Sequence, residues 1–151
     1  QEDVTGVTPL IEACILGDES IVTLLLNAGC PAQPPNDGFR HSPLRGATVC
    51  GHYHLIPLLL QHGADPNALS EGNRTPLMGA CFLRQGSLYN EDEEKERSVK
   101  CVMALLVDDR VDPTVRNSFS ESALDLAKNR GYTESAVLVE KALDKWTKRQ
   151  S

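Results

Sequence analysis

What the chain has little of narrows its class. Aromatic residues make up only 5% of the 151 residues, whereas leucine is abundant, and this balance favours packed helices over a β-sandwich core. No apolar run approaches the ~18–20 residues that cross a bilayer, so we expect no membrane insertion. A hydrophobic content of 40% argues against disorder. The length fits one domain with a core of its own.

An excess of basic charge is also missing. Lys and Arg number 15 against 21 Asp and Glu, a net charge of −6. Nucleic-acid-binding proteins usually present a basic face, so nucleic acid is not the expected partner. The five cysteines are an odd number without a close pair, which predicts reduced thiols and a cytoplasmic or nuclear location. The chain opens on Gln1 rather than Met, and we expect it to be part of a longer protein.

Short fragments recur along the chain at a nearly fixed spacing. They are Gly6-Val-Thr-Pro-Leu10, Ser42-Pro-Leu44, Gly72-Asn-Arg-Thr-Pro-Leu77 and Ser122-Ala-Leu124. Thr8, Ser42 and Thr75 lie 34 and 33 residues apart, and Ser122 follows 47 residues later. The last spacing is one period plus an insertion. A period of about 33 residues indicates a solenoid of repeated units.

Each unit predicts a pair of helices. Thr or Ser before Pro is a helix start, because the hydroxyl caps free N–H groups and Pro is preset for the first turn. Gly17 and Gly51 predict a break before the second helix, and Gly29 and Gly63 predict its left-handed cap. The second helices are expected to bury apolar residues, namely Ile21, Val22, Leu24 and Leu25 in one unit and Leu55, Ile56, Leu58 and Leu59 in the next.

This pattern resembles the ankyrin repeat, most specifically in Thr-Pro-Leu, Gly51-His52 and Gly63-Ala-Asp-Pro-Asn67. The resemblance implies an all-α fold, an ankyrin-repeat solenoid of helix-turn-helix units joined by β-hairpin-like loops. It implies a single domain over 1–151, with repeats at about 4–36, 37–70, 71–117 with an insertion at 87–98, and 118–148 as a C-terminal cap. The sequence departs from the family in two ways. The usual His after Thr-Pro-Leu is replaced by Ile11, Arg45, Met78 and Asp125, and Arg110 replaces a cap Gly.

Catalysis finds little support in the sequence. It lacks a Gly-rich phosphate loop, a paired-Cys metal site and a nucleophile elbow, so we expect no enzyme activity and no cofactor. The one alternative is zinc held by Cys50, His52 and His54. Because the resemblance gives His52 a structural role, the structural interpretation is favoured.

The resemblance implies that partners touch the outward ends of the first helices and the hairpin tips. The helix ends are predicted to form an apolar strip, consisting of Ile15, Leu16, Val49, Cys50, Phe82 and Leu83, with Asn129 and Arg130 in the last unit. Such a strip would suit a peptide inserted into the concave groove. The alternative is that these side chains pack on one another or on the inserted segment.

Polar residues are predicted on the hairpin tips beside this strip, namely Arg40, His41, Arg74, Arg116 and, as an apolar addition, Phe119. Arg favours capture of carboxylate or phosphate, so the predicted partner is a protein or peptide with apolar anchors and an acidic flank. The alternative is that each Arg is simply solvated.

Two further features have specific predictions. In the insertion 87–98, Asn90 followed by Glu93 indicates a capping box, so the second helix of this unit should begin near residue 91; a flexible loop is the alternative. The resemblance also implies that Asn67 occupies a position modified by asparagine hydroxylase.

Together the features of the sequence predict a non-catalytic protein-interaction module. The alternative is a regulatory or substrate-receptor domain of a larger enzyme or ligase complex.

Overall fold

A computed structural model describes residues 8–33, 41–84 and 89–151. Eight helices and no strand are found in these three ranges, which confirms the all-α prediction. The helices are α1 (Pro9–Leu16), α2 (Glu19–Asn27), α3 (Pro43–Val49), α4 (Leu55–Gln61), α5 (Pro76–Cys81), α6 (Glu91–Leu106), α7 (Ala123–Asn129) and α8 (Thr133–Gln150). Nowhere in the described part of the chain does a helix combine the length and the apolar character needed to cross a membrane.

The first helix of every pair begins in the same way. A hydroxyl at the cap accepts a hydrogen bond from the backbone N–H three residues on, with donor–acceptor distances of 3.1–3.2 Å. The caps are Thr8, Ser42, Thr75 and Ser122. Pro occupies the start of α1, α3 and α5, where its missing N–H costs nothing. The predicted helix starts are therefore confirmed.

The helix pairs stack through two rows of helices. In the first row α1 packs on α3, α3 on α5 and α5 on α7, while α4 packs on α6 and α6 on α8 in the second. The core lies between these rows. The residues of α1, α3 and α5 that face it are buried, namely Leu10, Ala13, Cys14, Leu44, Ala47, Thr48, Leu77, Ala80 and Cys81. The helix pairs fall within the four predicted units, except that α8 ends at Gln150, two residues beyond the predicted end of the fourth unit. The limits of the units stay a prediction.

The prediction for α2, the second helix of the first unit, is wrong at two positions. Ile21 and Leu24 are exposed, whereas Val22 and Leu26 are buried. Residues 22 and 26 lie four apart and therefore share the face of α2 that meets α1. Ile21 and Leu24 lie on the opposite face, which no described residue covers enough to bury.

The glycine turns follow the prediction, because Gly17, Gly29, Gly51 and Gly63 all have positive φ. The third unit ends differently, at the place where Arg110 replaces a cap Gly. After α6 the chain turns through two hydrogen bonds, from Asp108 N–H to Leu105 O (3.0 Å) and from Val111 N–H to Asp108 O (3.2 Å). The Arg110 guanidinium is held by the Asp108 carboxylate at 2.7 Å.

The insertion forms a helix where the capping box predicts it. The Asn90 side chain accepts from Glu93 N–H, and the Glu93 carboxylate accepts from Asn90 N–H, each at 2.9 Å. The resulting α6 has 16 residues, whereas α4 has 7. A flexible loop is therefore wrong for the part of the insertion from residue 89 onward, and residues 87 and 88 lie outside the described residues.

Short hairpins join successive pairs. Backbone bridges pair Ser70 with Arg74 and Arg116 with Ser122. The two hairpins are tied to each other, since Ser118 N–H donates to Gly72 O at 2.9 Å. The hairpin-like connections of the predicted solenoid are therefore present between the second and third pairs and between the third and fourth.

Candidate functional site

The predicted apolar strip is partly open. Leu16, at the end of α1, is 70% exposed, and Phe82, just after α5, is 40% exposed. Ile15, Val49 and Cys50 are half-buried. The ends of three consecutive first helices therefore present apolar surface that a partner can reach.

Leu83 does not belong to the accessible strip, which corrects the sequence prediction. Its side chain is only 2% exposed. It packs against the turn at Gly51, where its Cδ1 lies 3.7 Å from the position that a Cβ on Gly51 would take. The alternation of Phe82 out and Leu83 in follows the extended backbone after α5, since Phe82 has φ −147 and ψ 75.

Arg130 is held within the fold, which corrects the prediction that it faces a partner. Its guanidinium donates to Leu83 O at 2.8 Å and to the Glu94 carboxylate at 3.1 Å. The same group lies over the Phe82 ring at 4.6 Å and over the Tyr132 ring at 5.1 Å. Arg130 therefore connects the end of α5 to α6 and α7.

The hairpin tips keep part of their predicted polarity. Arg40 lies outside the described residues, and His41 is half-buried. Arg74 and Phe119 are exposed. Arg116 is exposed as well, but its guanidinium donates to Ser120 O at 2.6 Å and reaches the Asp125 carboxylate at 3.4 Å. Arg74 and Phe119 are thus the tip side chains most available to a partner.

The histidine and cysteine side chains favour the structural interpretation over zinc. His52 Nε2–H donates to Ile15 O at 2.9 Å, which links the first two units. Burial lowers the pKa of His52 despite this hydrogen bond, so the ring is neutral at pH 7. In residues 8–33, 41–84 and 89–151, no group of three or more His, Cys, Asp and Glu is placed to hold a metal ion. Burial raises the pKa of three thiols, those of Cys14, Cys81 and Cys101, to about 12.

Sequence reasoning did not single out Arg45, a half-buried charged residue. Arg45 is the third residue of α3, and its Nε is buried without a hydrogen-bond partner in the described part of the chain. Burial, and secondarily the charge of Arg74, lower the pKa of Arg45 to about 10. The signal was present in the sequence, since a charge stands where the neighbouring units carry Ile11 and Met78.

Asn67 ties one loop to the next. Its Nδ2–H donates to Arg110 O at 2.7 Å, and its Oδ1 accepts from Asp112 N–H at 2.8 Å. Both ends of the amide are therefore used between the second and third units. Hydroxylation of Asn67 stays a prediction.

We expect Asn67→Ala to lower the free energy of unfolding by about 1–3 kcal/mol, because it leaves two backbone groups without their partner. Urea denaturation followed by circular dichroism measures the loss. Gln61→Ala removes an exposed amide at the end of α4 and is the matched control, expected to change stability by less than about 0.5 kcal/mol. Equal losses in the two variants would rule out the bridging role of Asn67.

Comparison with known proteins identifies the repeats. A family model for ankyrin repeats, in three copies, matches residues 10–89. The chain is 30% identical over 138 residues to the ankyrin repeat and KH domain-containing protein mask-1 of Caenorhabditis elegans, covering 89% of this chain and 5% of that protein. It is 24% identical over 143 residues to the putative ankyrin repeat protein YahD of Escherichia coli, covering 92% of this chain and 65% of that protein.

A third relative is an enzyme by name. The 2-5A-dependent ribonuclease of Mus musculus is 36% identical over 69 residues, which cover 46% of this chain and 9% of that protein. The chain thus spans between 5% and 65% of the length of these three relatives. The repeat period, the paired helices and the family match agree, and the chain belongs to the ankyrin repeat family.

Proposed function

We propose that this domain binds an extended segment of a partner protein across the ends of its first helices and its hairpin tips, in the concave groove that the family resemblance implies. Ankyrin repeats are in general protein–protein interaction modules, which supports this class of function. The observation that carries the proposal is the exposure of Leu16 and Phe82 at the ends of α1 and α5.

The geometry of the strip suits an extended chain. Packed helices lie about 8–10 Å apart. Leu16 ends α1 and Phe82 follows α5, with α3 between these helices, so the two side chains are separated by roughly 20 Å. About six residues of extended chain span that distance. Val49 lies on α3 between the two anchors. Covering each anchor would contribute up to about 1.5–3 kcal/mol. The helix stack holds the strip in place, which limits the entropy lost on binding.

The test is a comparison of partners captured from cell extract by the wild type and by a Leu16→Asp/Phe82→Asp variant, quantified by mass spectrometry. We expect the proteins that the wild type enriches to fall at least about tenfold with the variant, because a carboxylate cannot be buried in an apolar interface without a partner. Circular dichroism and the melting temperature check that the variant is folded.

The matched control is Met103→Asp/Val107→Asp, which places two carboxylates at exposed apolar positions of α6 and its end. This control should retain the partners of the wild type. If the folded Leu16→Asp/Phe82→Asp variant retains every partner, or if the control loses the same ones, binding does not run through the first-helix ends.

The alternative is a regulatory or substrate-receptor domain of a larger enzyme. The similarity to part of the 2-5A-dependent ribonuclease supports this reading. An antibody raised against α6 and used on cell extract tests this alternative. The alternative requires a band well above the 16.5 kDa of this chain, and a single band at that mass would contradict it.

A further inference from the structure

The helix α6 carries a stripe of apolar side chains that the fold leaves open. Val99, Met103 and Val107, the last at the C-cap, recur every fourth residue and therefore lie on one face of the helix. Val99 is half-buried, Met103 is 55% exposed and Val107 is 83% exposed. Single apolar residues are ordinary on a protein surface, but three in register on one helix face indicate a contact surface.

The helix α8 lies beside α6 and runs in the same direction. Near the starts of the two helices, the Tyr132 hydroxyl donates to the Glu94 carboxylate at 3.3 Å. Near their ends, the Arg149 guanidinium donates to Asp109 O at 3.1 Å. The two helices therefore share one outer surface. This α6–α8 face consists of side chains that the two helices leave accessible, namely Asp92, Glu96, Val99, Met103, Val107, Lys141 and Lys145.

The two ends of the α6–α8 face carry charges of opposite sign. The first six residues of α6 contain five acids and one Lys, whereas the last ten residues of α8 contain four cations and one acid. Asp92 and Glu96 are exposed at the first end, and Lys141 and Lys145 are exposed at the other. Because the helices are parallel, the face is acidic at its N-terminal end and basic at its C-terminal end.

The ion pairs within this surface leave the charges available. Glu96 lies 2.9 Å from Lys100, Lys145 lies 3.7 Å from Asp109, and each of these four side chains is at least 43% exposed. Exposed ion pairs contribute little to stability, because water screens them. Glu96 and Lys145 can therefore turn to charges on another molecule at little cost.

A face that is acidic at one end and basic at the other is complementary to a second copy of itself. In a closed dimer the two copies are related by a two-fold axis and use the same patch. An axis that crosses the helices at a right angle reverses their direction. The acidic end of each copy then meets the basic end of the other.

The register of α6 against α8 allows one axis to match the charges. The hydroxyl oxygens of Ser98 and Ser135 lie 2.7 Å apart and set these two residues at the same level. At 1.5 Å per residue, Glu96 stands about 3 Å before that level and Lys141 about 9 Å after it. Their midpoint lies about 3 Å after the level of Ser98.

The second pair of charges has the same midpoint. Asp92 stands about 9 Å before the level of Ser98, and Lys145 stands about 15 Å after that of Ser135, so their midpoint again lies about 3 Å after it. A single axis therefore places Asp92 level with Lys145 of the second copy and Glu96 level with Lys141. Val99 and Met103 lie within about 5 Å of the level of this axis, which puts the apolar stripe across the centre.

We propose that two copies of this chain associate through the α6–α8 face about this two-fold axis, with their helices antiparallel. The apolar stripes meet at the centre of the interface, and the acidic and basic ends meet at its rim. The face belongs to the second row of helices, so this inference is independent of the partner segment proposed for the ends of the first row.

The size of the α6–α8 face sets the expected strength. The 16 residues of α6 span about 24 Å, and two adjacent helices are about 20 Å wide. The face therefore offers roughly 500 Å² per copy, or roughly 1,000 Å² in the dimer, close to the lower limit for specific complexes. We expect a weak dimer with a dissociation constant on the order of 10 to 100 µM.

Sedimentation equilibrium of the wild-type chain in low salt is the first measurement. The mass should rise from the 16.5 kDa of one chain towards twice that value between about 1 and about 500 µM. A wild type that stays monomeric over this range overturns the proposal. The Leu16→Asp/Phe82→Asp variant should dimerise as the wild type does, which separates this surface from the one in the proposed function.

Met103→Asp/Val107→Asp tests the apolar stripe. It should weaken the dimer at least about tenfold, because carboxylates would be buried at the centre of the interface. The matched control is Ile21→Asp/Leu24→Asp, which places two carboxylates on the other exposed apolar helix face, that of α2. The control should dimerise like the wild type. If the control dissociates and the α6 variant does not, the copies meet through α2 and the proposal is wrong.

Charge reversal tests the antiparallel arrangement. Lys141→Glu/Lys145→Glu makes both ends of the face acidic, and Asp92→Lys/Glu96→Lys makes both ends basic. Each variant alone should dimerise at least about tenfold more weakly than the wild type, since like charges then meet at both ends. An equimolar mixture should regain dimers within about threefold of the wild-type affinity, because every acidic end again meets a basic one.

This recovery separates contact between copies from damage to the fold, since two misfolded variants do not repair each other on mixing. Circular dichroism and the melting temperature check that each variant is folded before mixing. A mixture of folded variants that stays monomeric overturns the proposal, as does a variant that dimerises unchanged on its own.

Discussion

Replacing Gly17 by Ala is expected to lower the free energy of unfolding by about 3 kcal/mol, against about 1 kcal/mol for Gly63→Ala. The two glycines share a left-handed backbone, with φ 78 at Gly17 and 92 at Gly63. Any L-residue in this conformation carries a strain of about 1–2 kcal/mol. Gly63 serves as the control for that strain, because a Cβ added there meets nothing within 4 Å.

The additional loss at Gly17 comes from His52. A Cβ on residue 17 would lie 2.6 Å from Cε1, 2.7 Å from Nδ1 and 2.8 Å from Nε2 of the His52 ring. The ring must move, and its hydrogen bond to Ile15 O, at 2.9 Å, would be lost with it. That hydrogen bond crosses from the second unit to the first, so its loss weakens the contact between α1 and α3. It accounts for about 1–2 kcal/mol beyond the backbone strain.

Urea denaturation of the single variants and of the Gly17→Ala/His52→Ala double variant measures two contributions to the loss of stability, the backbone strain and the loss of the His52 hydrogen bond. With His52 already reduced to Ala, the Gly17 substitution should cost no more than Gly63→Ala, since only the backbone strain remains. Equal losses for Gly17→Ala and Gly63→Ala in the wild-type background would mean that His52 does not connect the two units as described.

The elements predicted correctly from sequence are those fixed by local chemistry. Thr75 before Pro76 defines the start of α5, and the Asn90–Glu93 capping box defines the start of α6, because the capping atoms lie within four residues of the groups they satisfy. The glycine breaks follow for the same reason. In each case the residues that decide the conformation stand next to it in the sequence.

The errors arise where a distant part of the chain decides. Leu24 is exposed and Leu83 is buried because of which helices cover them, and periodicity within one helix does not contain that information. Long charged side chains are harder still to predict. Arg130 turns inward to a carbonyl 47 residues away along the chain, whereas the Nε of Arg45 has no hydrogen-bond partner among the described residues. The sequence identified the faces of the helices better than the direction of their arginines.

Arg130→Ala is expected to destabilise the protein by about 2–4 kcal/mol, although a surface-facing role would make it nearly neutral. The Arg130 and Glu94 side chains are only 14% and 17% exposed, and breaking a pair so little exposed to water leaves its remaining members poorly solvated. Leu83 O would lose its donor, and the Phe82 ring would lose the guanidinium that lies over it at 4.6 Å.

Arg116→Ala is the matched control, because Arg116 also pairs with a carboxylate, but the two side chains are 61% and 48% exposed. It should cost less than about 1 kcal/mol, as is usual for surface ion pairs. Arg130→Lys should fall between wild type and Arg130→Ala, since an ammonium cannot reproduce the planar fork that reaches Glu94 and Leu83 together. If urea denaturation gives Arg130→Ala no larger a loss than Arg116→Ala, the internal role is wrong and Arg130 returns to the partner-binding residues. If the larger loss is found, reduced binding by an Arg130 variant reflects damage to the helix stack, and the exposed Arg74 is the arginine with which to test recognition.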